Sequence, residues 1–378
     1  MGIIFGKRKE KEKKSGREKK PAVEKGGAEN KPTTAPFHHM TSKIDIVSIA
    51  SPFNSLVGME AAKSVLVDNL AANQTGKVPL LSAVILAPAG TGKTALAKAL
   101  CKARETSGAA VLEILPSAVR KLGAAWDELV NFLAAPGPKT LFIDEAHELF
   151  SPGRTVQLAK IGSLCMSALD GNRPDSQAIK FSDELEILFN RHSCQIILAT
   201  NFPGKMPEAL AGKSGRAFRL ELPLYSDGEV AQIAHLMLSA KGISGNEDSL
   251  ASLARVARGS ARPLEHLTAA LFTRAVLAGK GTVNKGDILA AMITCGLFPL
   301  GFSREEIKCL EFLKNANTQA VLAARFPNLD SPTLRAFMAH GLGNGLIGKT
   351  NGGFALTDKG RRYFVDCAAL KFPVPVLA

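Results

Sequence analysis

The stretch "APAGTGKTALAKAL", residues 87–100, decides the fold. Gly90-Thr91-Gly92-Lys93-Thr94 completes the pattern G-x-x-x-x-G-K-[ST], but Ala87 stands where the pattern has its first glycine. "SAVILA" (82–87) reads as a strand and "TALAKALCKA" (94–103) as a helix, the context a phosphate-binding loop requires. Gly90 and Gly92 let the backbone curl so that its N–H groups face phosphates, with the helix N-terminus adding its dipole. The span Ala87, Pro88, Ala89, Gly90, Thr91, Gly92, Lys93 and Thr94 is therefore expected to cradle ATP. Lys93 would reach the β- and γ-phosphates, and Thr94 would ligate Mg²⁺. Alanine at 87 adds one methyl group and is tolerated if that residue need not adopt φ > 0.

Working outward, "TLFIDEAH" (140–147) ends an apolar strand in Asp144 and Glu145. Asp144 is expected to hold Mg²⁺ and Glu145 to polarise the attacking water. "QIILATN" (195–201) ends in Asn201, suited to the γ-phosphate or the water. "GKSGRAFRLELP" (212–223) sets Arg216 and Arg219 just before and within a strand, and Lys213 is a weaker candidate. Arginines there can stabilise charge on a neighbouring subunit's γ-phosphate, an effect of about 10³–10⁵ in rate in arginine-finger systems. "RGSARP" (258–263) places Arg262 at a helix start, where it could contact the γ-phosphate from a lid.

Five short β-branched runs, "SAVILA", "AAVLEIL", "TLFIDE", "QIILATN" and "FRLEL", alternate with helical stretches. That pattern is an α/β class with a doubly wound parallel sheet covered on both faces. Helical periodicity takes over from Ser226 to about Leu297, a small lid. The last part has "FSREEIKCLEFLKNA" with a Ser303–Glu306 capping box, and "DSPTLRAFMAHGL" with Ser331 as N-cap and Pro332 at N1. "LIGKTNGGFALTDKGRRYF" reads as two strands around Asn351-Gly352 with a basic cluster. The expected division is 1–40 a disordered basic tail, 41–224 the nucleotide-binding α/β domain, 225–300 the helical lid, 301–366 a winged helix, and 367–378 a C-terminal tail.

The chain has 378 residues and a net charge of +13, of which the first thirty residues supply ten Lys/Arg against five Glu. A basic surplus suits an anionic partner such as nucleic acid. No run approaches the ~18 apolar residues of a membrane span, and the N-terminus does not read as a signal peptide. The six scattered cysteines include no C-x-x-C pair, which favours a reducing, cytoplasmic setting over a zinc or disulfide framework.

Taken in order, these motifs resemble those of AAA+ ATPases, and of the RuvB family in particular, the hexameric motor of Holliday-junction branch migration. The resemblance covers roughly 44–366, through "FNSLVGMEAAKSVLVDNL" before the loop, "LFIDEAHEL" with its His147, and "ARGSARPLEHL" in the lid. It implies a homo-oligomeric ring, ATP and Mg²⁺ as cofactors, and duplex or branched DNA as partner. A winged helix would serve that partner with Arg335 and His340 on its recognition helix. Lys349, Lys359, Arg361 and Arg362 would meet phosphates from the wing. Four features differ from the family: Ala87 in place of the usual glycine, a basic 1–40 tail beyond what the family usually has, and two further stretches. "SGRAFR" looks more like the G-R-F-D-R run of protein-remodelling AAA ATPases, and 172–193 lacks the Gly-Pro hairpin with which RuvB meets RuvA. The alternatives are thus a remodeller or loader whose wing docks a protein, and a DNA-binding regulator switched by ATP. A junction-binding or adaptor protein stays an open partner.

Overall fold

The computed structural model describes residues 46–115, 128–129, 131–132, 135–150, 194–206 and 217–374. The basic tail, the 172–193 segment, Lys213 and Arg216 lie outside the described residues.

The five apolar runs form five strands: β1 (Ala83–Leu86), β2 (Ala110–Ile114), β3 (Lys139–Ile143), β4 (Cys194–Thr200) and β5 (Phe218–Glu221). They make one sheet in the order β2-β3-β4-β1-β5, parallel at every described pairing. The three inner strands are buried along their whole length, as both faces of a covered parallel sheet must be, whereas β5 at the edge buries only Leu220. Helices α1 (Ile46–Ala50), α2 (Glu60–Gln74) and α3 (Lys93–Thr106) accompany the sheet. Ile49, Leu66, Leu96 and Leu100 share its core with Ile85, Phe142 and Ile197.

The lid is α4 (Asp227–Ser239), α5 (Glu247–Ala257), α6 (Arg262–Leu277) and α7 (Lys285–Cys295), one helix for each periodic stretch. Capping boxes start α4 (Ser226 with Glu229) and α7 (Asn284 with Asp287), each satisfying orphan backbone donors. A two-residue parallel pairing, β6 (Ser244–Gly245) with β7 (Thr282–Val283), ties the loops together.

The C-terminal module is α8 (Arg304–Phe312), α9 (Gln319–Arg325), α10 (Ser331–Gly343), the antiparallel hairpin β8 (Ile347–Thr350) and β9 (Gly353–Leu356), and α11 (Asp358–Ala369). Asn317 makes an isolated antiparallel bridge to Phe354 beside the hairpin, so three helices, a two-stranded hairpin and a last helix follow in the order expected for a winged helix. The Ser303–Glu306 capping box is present. At α10 the cap lies one residue earlier than the sequence suggested. Asp330 accepts from Thr333 N at 2.9 Å, which moves Ser331 to the first helical position and Pro332 to the second. The hydrogen bond from Thr333 holds the Asp330 carboxyl below its ordinary pKa. The ordered chain also runs past 366, because α11 continues to Ala369 and the buried Phe372 ring packs 5.6 Å from Phe298.

Lid and C-terminal module share one continuous core, from Val230 and Leu264 through Phe298 and Phe302 to Phe337 and Phe364. Beside this core, part-buried Arg258 Nη1 donates to both carboxylate oxygens of Glu306, at 2.9 and 3.1 Å. The guanidinium lies over the Phe302 ring at 5.5 Å. Tyr363 donates to Pro299 O at 2.7 Å, and burial raises its phenol pKa far above the ordinary value.

Candidate active site

In an open parallel sheet, ligands bind beyond the carboxyl ends of the strands. Here β1 runs into the 87–94 loop, β3 into Asp144 and Glu145, and β4 into Asn201. A cavity of about 560 Å³ opens there between sheet and lid. Gly90, Gly92, Lys93, Thr94, Asp144, Glu145 and Arg262 all line it.

The loop is wound on its glycines. Gly90 (φ 77°) and Gly92 (φ 84°) take left-handed backbone, whereas Ala87 is absent from the positive-φ positions. Ala87 instead extends the ladder, donating its N–H to Thr200 O at 3.3 Å, and its methyl group is buried in the sheet core. The alanine therefore meets no backbone demand that only glycine can satisfy. Ala87→Gly is expected to change ATP affinity less than tenfold, below ~1.4 kcal/mol. Titration calorimetry checks this, and a much larger gain would show that the missing glycine matters.

Inside the loop, Lys93 Nζ donates to Ala87 O at 3.0 Å and Pro88 O at 2.9 Å, and Thr91 Oγ1 donates to Pro88 O at 2.8 Å. Burial lowers the Lys93 pKa; Glu145 and Asp144 pull it back up, and Arg262 pushes it further down. Thr94 Oγ1 donates to Asp144 Oδ2 at 2.8 Å, so two hard oxygen donors meet at the cavity wall. That pair suits Mg²⁺, which takes one or two protein ligands and fills its octahedron with waters and phosphate oxygens. Glu145 leaves β3 with left-handed backbone (φ 49°), an uncommon conformation for a non-glycine residue. Its N–H is held by Asp144 Oδ1 at 2.9 Å.

The lid touches the loop directly. Ala261 N donates to Gly90 O at 2.8 Å and Ser260 Oγ to Ala89 O at 3.1 Å. A Cβ on Gly90 would run into Ser260 Oγ, and one on Gly92 into the Tyr225 hydroxyl. This closeness sets Arg262, at the start of α6, on the cavity opposite Lys93.

Other expected residues stand apart. Asn201 follows directly on β4 but does not line the cavity, and among the described residues its Oδ1 has no hydrogen-bond partner. Arg219 lies on the edge strand β5, ion-paired with Glu221 of the same strand and outside this chain's own cavity. Arg335, Lys349, Lys359, Arg361 and Arg362 are all exposed. Only Lys349 sits on the hairpin, however. Lys359, Arg361 and Arg362 belong to the first turns of α11, because Thr357 caps a helix there by accepting from Gly360 N at 3.0 Å. His340 faces inward rather than toward a partner. Its Nε2 lies 2.9 Å from Leu300 O and its ring 5.0 Å from Phe302, and burial and Arg258 lower its pKa.

Sequence reasoning missed the apolar walls, Val57, Met59, Tyr225, Ile233 and Met237. They come from the segment before α2 and from the lid, and no local motif marks them. Facing a polar floor, they suit a flat heterocyclic base. Among the described residues, no helix is long and apolar enough to cross a membrane.

Residues 83–222 match the model of the ATPase family associated with various cellular activities (AAA). The chain is similar to the Holliday junction branch migration complex subunit RuvB of Campylobacter fetus, 25% identical over 315 residues, 82% of this chain and 87% of that protein. The RuvB subunit of Rubrobacter xylanophilus is 25% identical over 243 residues, 64% of each chain. Among solved structures, the Thermotoga maritima RuvB Holliday junction branch migration motor superposes with a TM-score of 0.58 at 20% identity, over 84% of this chain and 96% of its own. That last likeness concerns the fold.

Proposed function

Because the chain is a RuvB-like AAA+ ATPase, we propose that it spends ATP on moving duplex or branched DNA as a homo-oligomeric ring in the cytoplasm. The observation that carries this reading is the convergence of Lys93, the Thr94–Asp144 pair, Glu145 and Arg262 on one cavity between sheet and lid. Lys93 and the loop N–H groups hold the β- and γ-phosphates. Thr94 and Asp144 hold Mg²⁺, which would neutralise charge developing on the phosphates. Glu145 orients and polarises the attacking water, with Asn201 at the γ-phosphate end of β4. Arg262 senses the γ-phosphate from the lid, so that hydrolysis and lid position are coupled. Arg216 and Arg219 act on a neighbouring subunit's nucleotide, in keeping with the position of Arg219 outside its own chain's cavity. In this division of labour 41–224 binds nucleotide, 225–300 is the lid, and the module from 301 onward meets DNA, with an adaptor protein as a further partner.

The DNA side rests on five exposed cations, Arg335, Lys349, Lys359, Arg361 and Arg362. Each phosphate contact contributes about −0.9 to the slope of log K against log salt. Replacing Lys359, Arg361 and Arg362 with Ala is expected to flatten that slope by roughly two to three units. Basal ATPase should persist while duplex stimulation falls. If the triple variant binds duplex like the parent and deleting 1–40 removes all binding, the C-terminal module is a protein-docking surface, and the loader reading replaces the motor.

A further inference from the structure

We propose that His147 is a positioning residue for the hydrolytic step: with the Thr200 hydroxyl, it fixes where the Glu145 carboxylate stands. The proposal rests on reading Glu145 as the group that polarises water.

The left-handed turn at Glu145 sends the chain into a short 3-10 helix, Ala146–Phe150. That turn swings His147 back against the carboxylate. The His147 side chain is 5% exposed, against 29% for Glu145, so the ring forms the floor on which the carboxylate lies. His147 Nδ1 is 3.0 Å from Thr200 Oγ1 and 3.3 Å from Glu145 Oε2. Thr200 is itself fixed, since Oγ1 accepts the Phe202 N–H at 3.0 Å. The Phe202 ring packs edge-on against the imidazole, centroids 4.7 Å apart. The ring plane is thus set from two sides before Glu145 is considered.

Glu145 Oε2 is buried and, among the described residues, has no hydrogen bond in proper geometry. Its near neighbour is the His147 nitrogen that also faces Thr200. A buried carboxylate oxygen in that state is costly unless a polar group stands by. Nδ1 is that group. Thr200 immediately precedes Asn201 at the end of β4, so the same nitrogen links the base to the strand end read as contacting the γ-phosphate. His147 thereby aligns Glu145 with the state of that strand end. No proton needs to leave the ring for this: the role is to hold a carboxylate in place.

The test uses the full chain and reads steady-state ATPase together with ATP affinity by titration calorimetry. His147→Ala should lower kcat about 10- to 100-fold, by analogy with the loss of an outer partner that orients a metal-binding side chain. ATP affinity should stay within threefold, a pattern that separates a transition-state effect from lost binding. His147→Asn can place its amide nitrogen where Nδ1 stands and should recover at least a third of the parent rate. His147→Gln reaches the Nε2 position instead and should not. Thr200→Val, which keeps the shape and loses the hydroxyl, should move kcat the same way, and Thr200→Ser should restore it. His147→Ala combined with Glu145→Gln should be no slower than Glu145→Gln alone, because both act through one carboxylate.

An unchanged kcat in His147→Ala overturns the proposal. So does a loss shared equally by His147→Asn, a fall in ATP affinity that accounts for the lost rate, or full additivity with Glu145→Gln. If Glu145→Gln itself retains full activity, the reading of Glu145 falls and the proposal falls with it. A slow Glu145→Gln beside a normal His147→Ala overturns the proposal alone.

Discussion

Glu145→Gln is expected to lower the ATPase rate by about 10²–10⁴-fold, the range of a positioned general base, while ATP binding stays within a few-fold of the parent. The amide has the size and shape of the carboxylate, so the cavity wall is kept. The left-handed turn at 145 is a backbone feature anchored by Asp144 Oδ1 on the Glu145 N–H, which the substitution does not touch. Lys93, Thr94 and the loop glycines, which carry phosphate affinity in the proposed reading, also stay as they are. What is lost, in the proposed reading, is the negative charge that would polarise water. Single-turnover hydrolysis measured beside nucleotide affinity separates the two effects. A variant that hydrolyses ATP within threefold of the parent would remove Glu145 from the mechanism. A variant that no longer binds ATP would show that the carboxylate shapes the cavity instead.

The second large effect concerns stability at the junction of lid and C-terminal module. Glu306 is 6% exposed and has two tasks. It takes both hydrogen bonds from Arg258, and its Oε2 accepts from Ser303 N at 2.8 Å in the capping box of α8. Glu306→Ala leaves the part-buried Arg258 guanidinium, 20% exposed, without its carboxylate, which costs about 1–3 kcal/mol. It also removes the N3 half of the capping box, one hydrogen bond worth about 0.5–1.5 kcal/mol more. Glu306→Gln keeps the cap and loses only the charge, so it should be the milder change by about that cap contribution. Replacing both partners, as Arg258→Met with Glu306→Leu, should recover most of the loss, since a buried pair exchanged for packed apolar groups is often neutral. Thermal unfolding of the parent and the three variants decides. Equal midpoints for Glu306→Ala and the parent would mean that solvent reaches the pair in solution.

How far the sequence reveals this molecule depends on how local each cause is. The strands were legible because a covered parallel strand must be apolar throughout, and "QIILATN" or "TLFIDE" can hardly be anything else. The placement of the loop, Asp144 and Glu145 at strand ends is legible because each follows directly on an apolar run; the roles proposed for them rest on the residue types phosphate and water chemistry call for. Arg262 stands out through its motif, though only the fold brings it from the lid to the cavity that Lys93 also lines. The cap of α10 was misplaced by one residue because Asp330 and Ser331 are both good N-caps, and only the observed bond from Thr333 N decides between them. The cluster at 359–362 was assigned to a wing because charge is visible in a sequence and a helix start so close to a hairpin is not. In the sequence His340 looks like a contact residue, because its inward hydrogen bond depends on Leu300, forty residues away. The apolar walls of the cavity were invisible for the same reason, being assembled from two distant segments.

Domains joined by a thin polar interface are free to turn against one another. The lid and the C-terminal module have no such freedom, because one set of buried side chains serves both. Mechanically they are a single crank. Its inner end is fastened to the phosphate loop through Ala261 N on Gly90 O, and three residues earlier in the chain Arg258 grips Glu306 of the far arm. Any motion that tilts the lid must therefore swing the whole arm rather than be absorbed at a hinge between the two parts. A small displacement at the loop would be magnified at the basic face of α11 by the length of that arm.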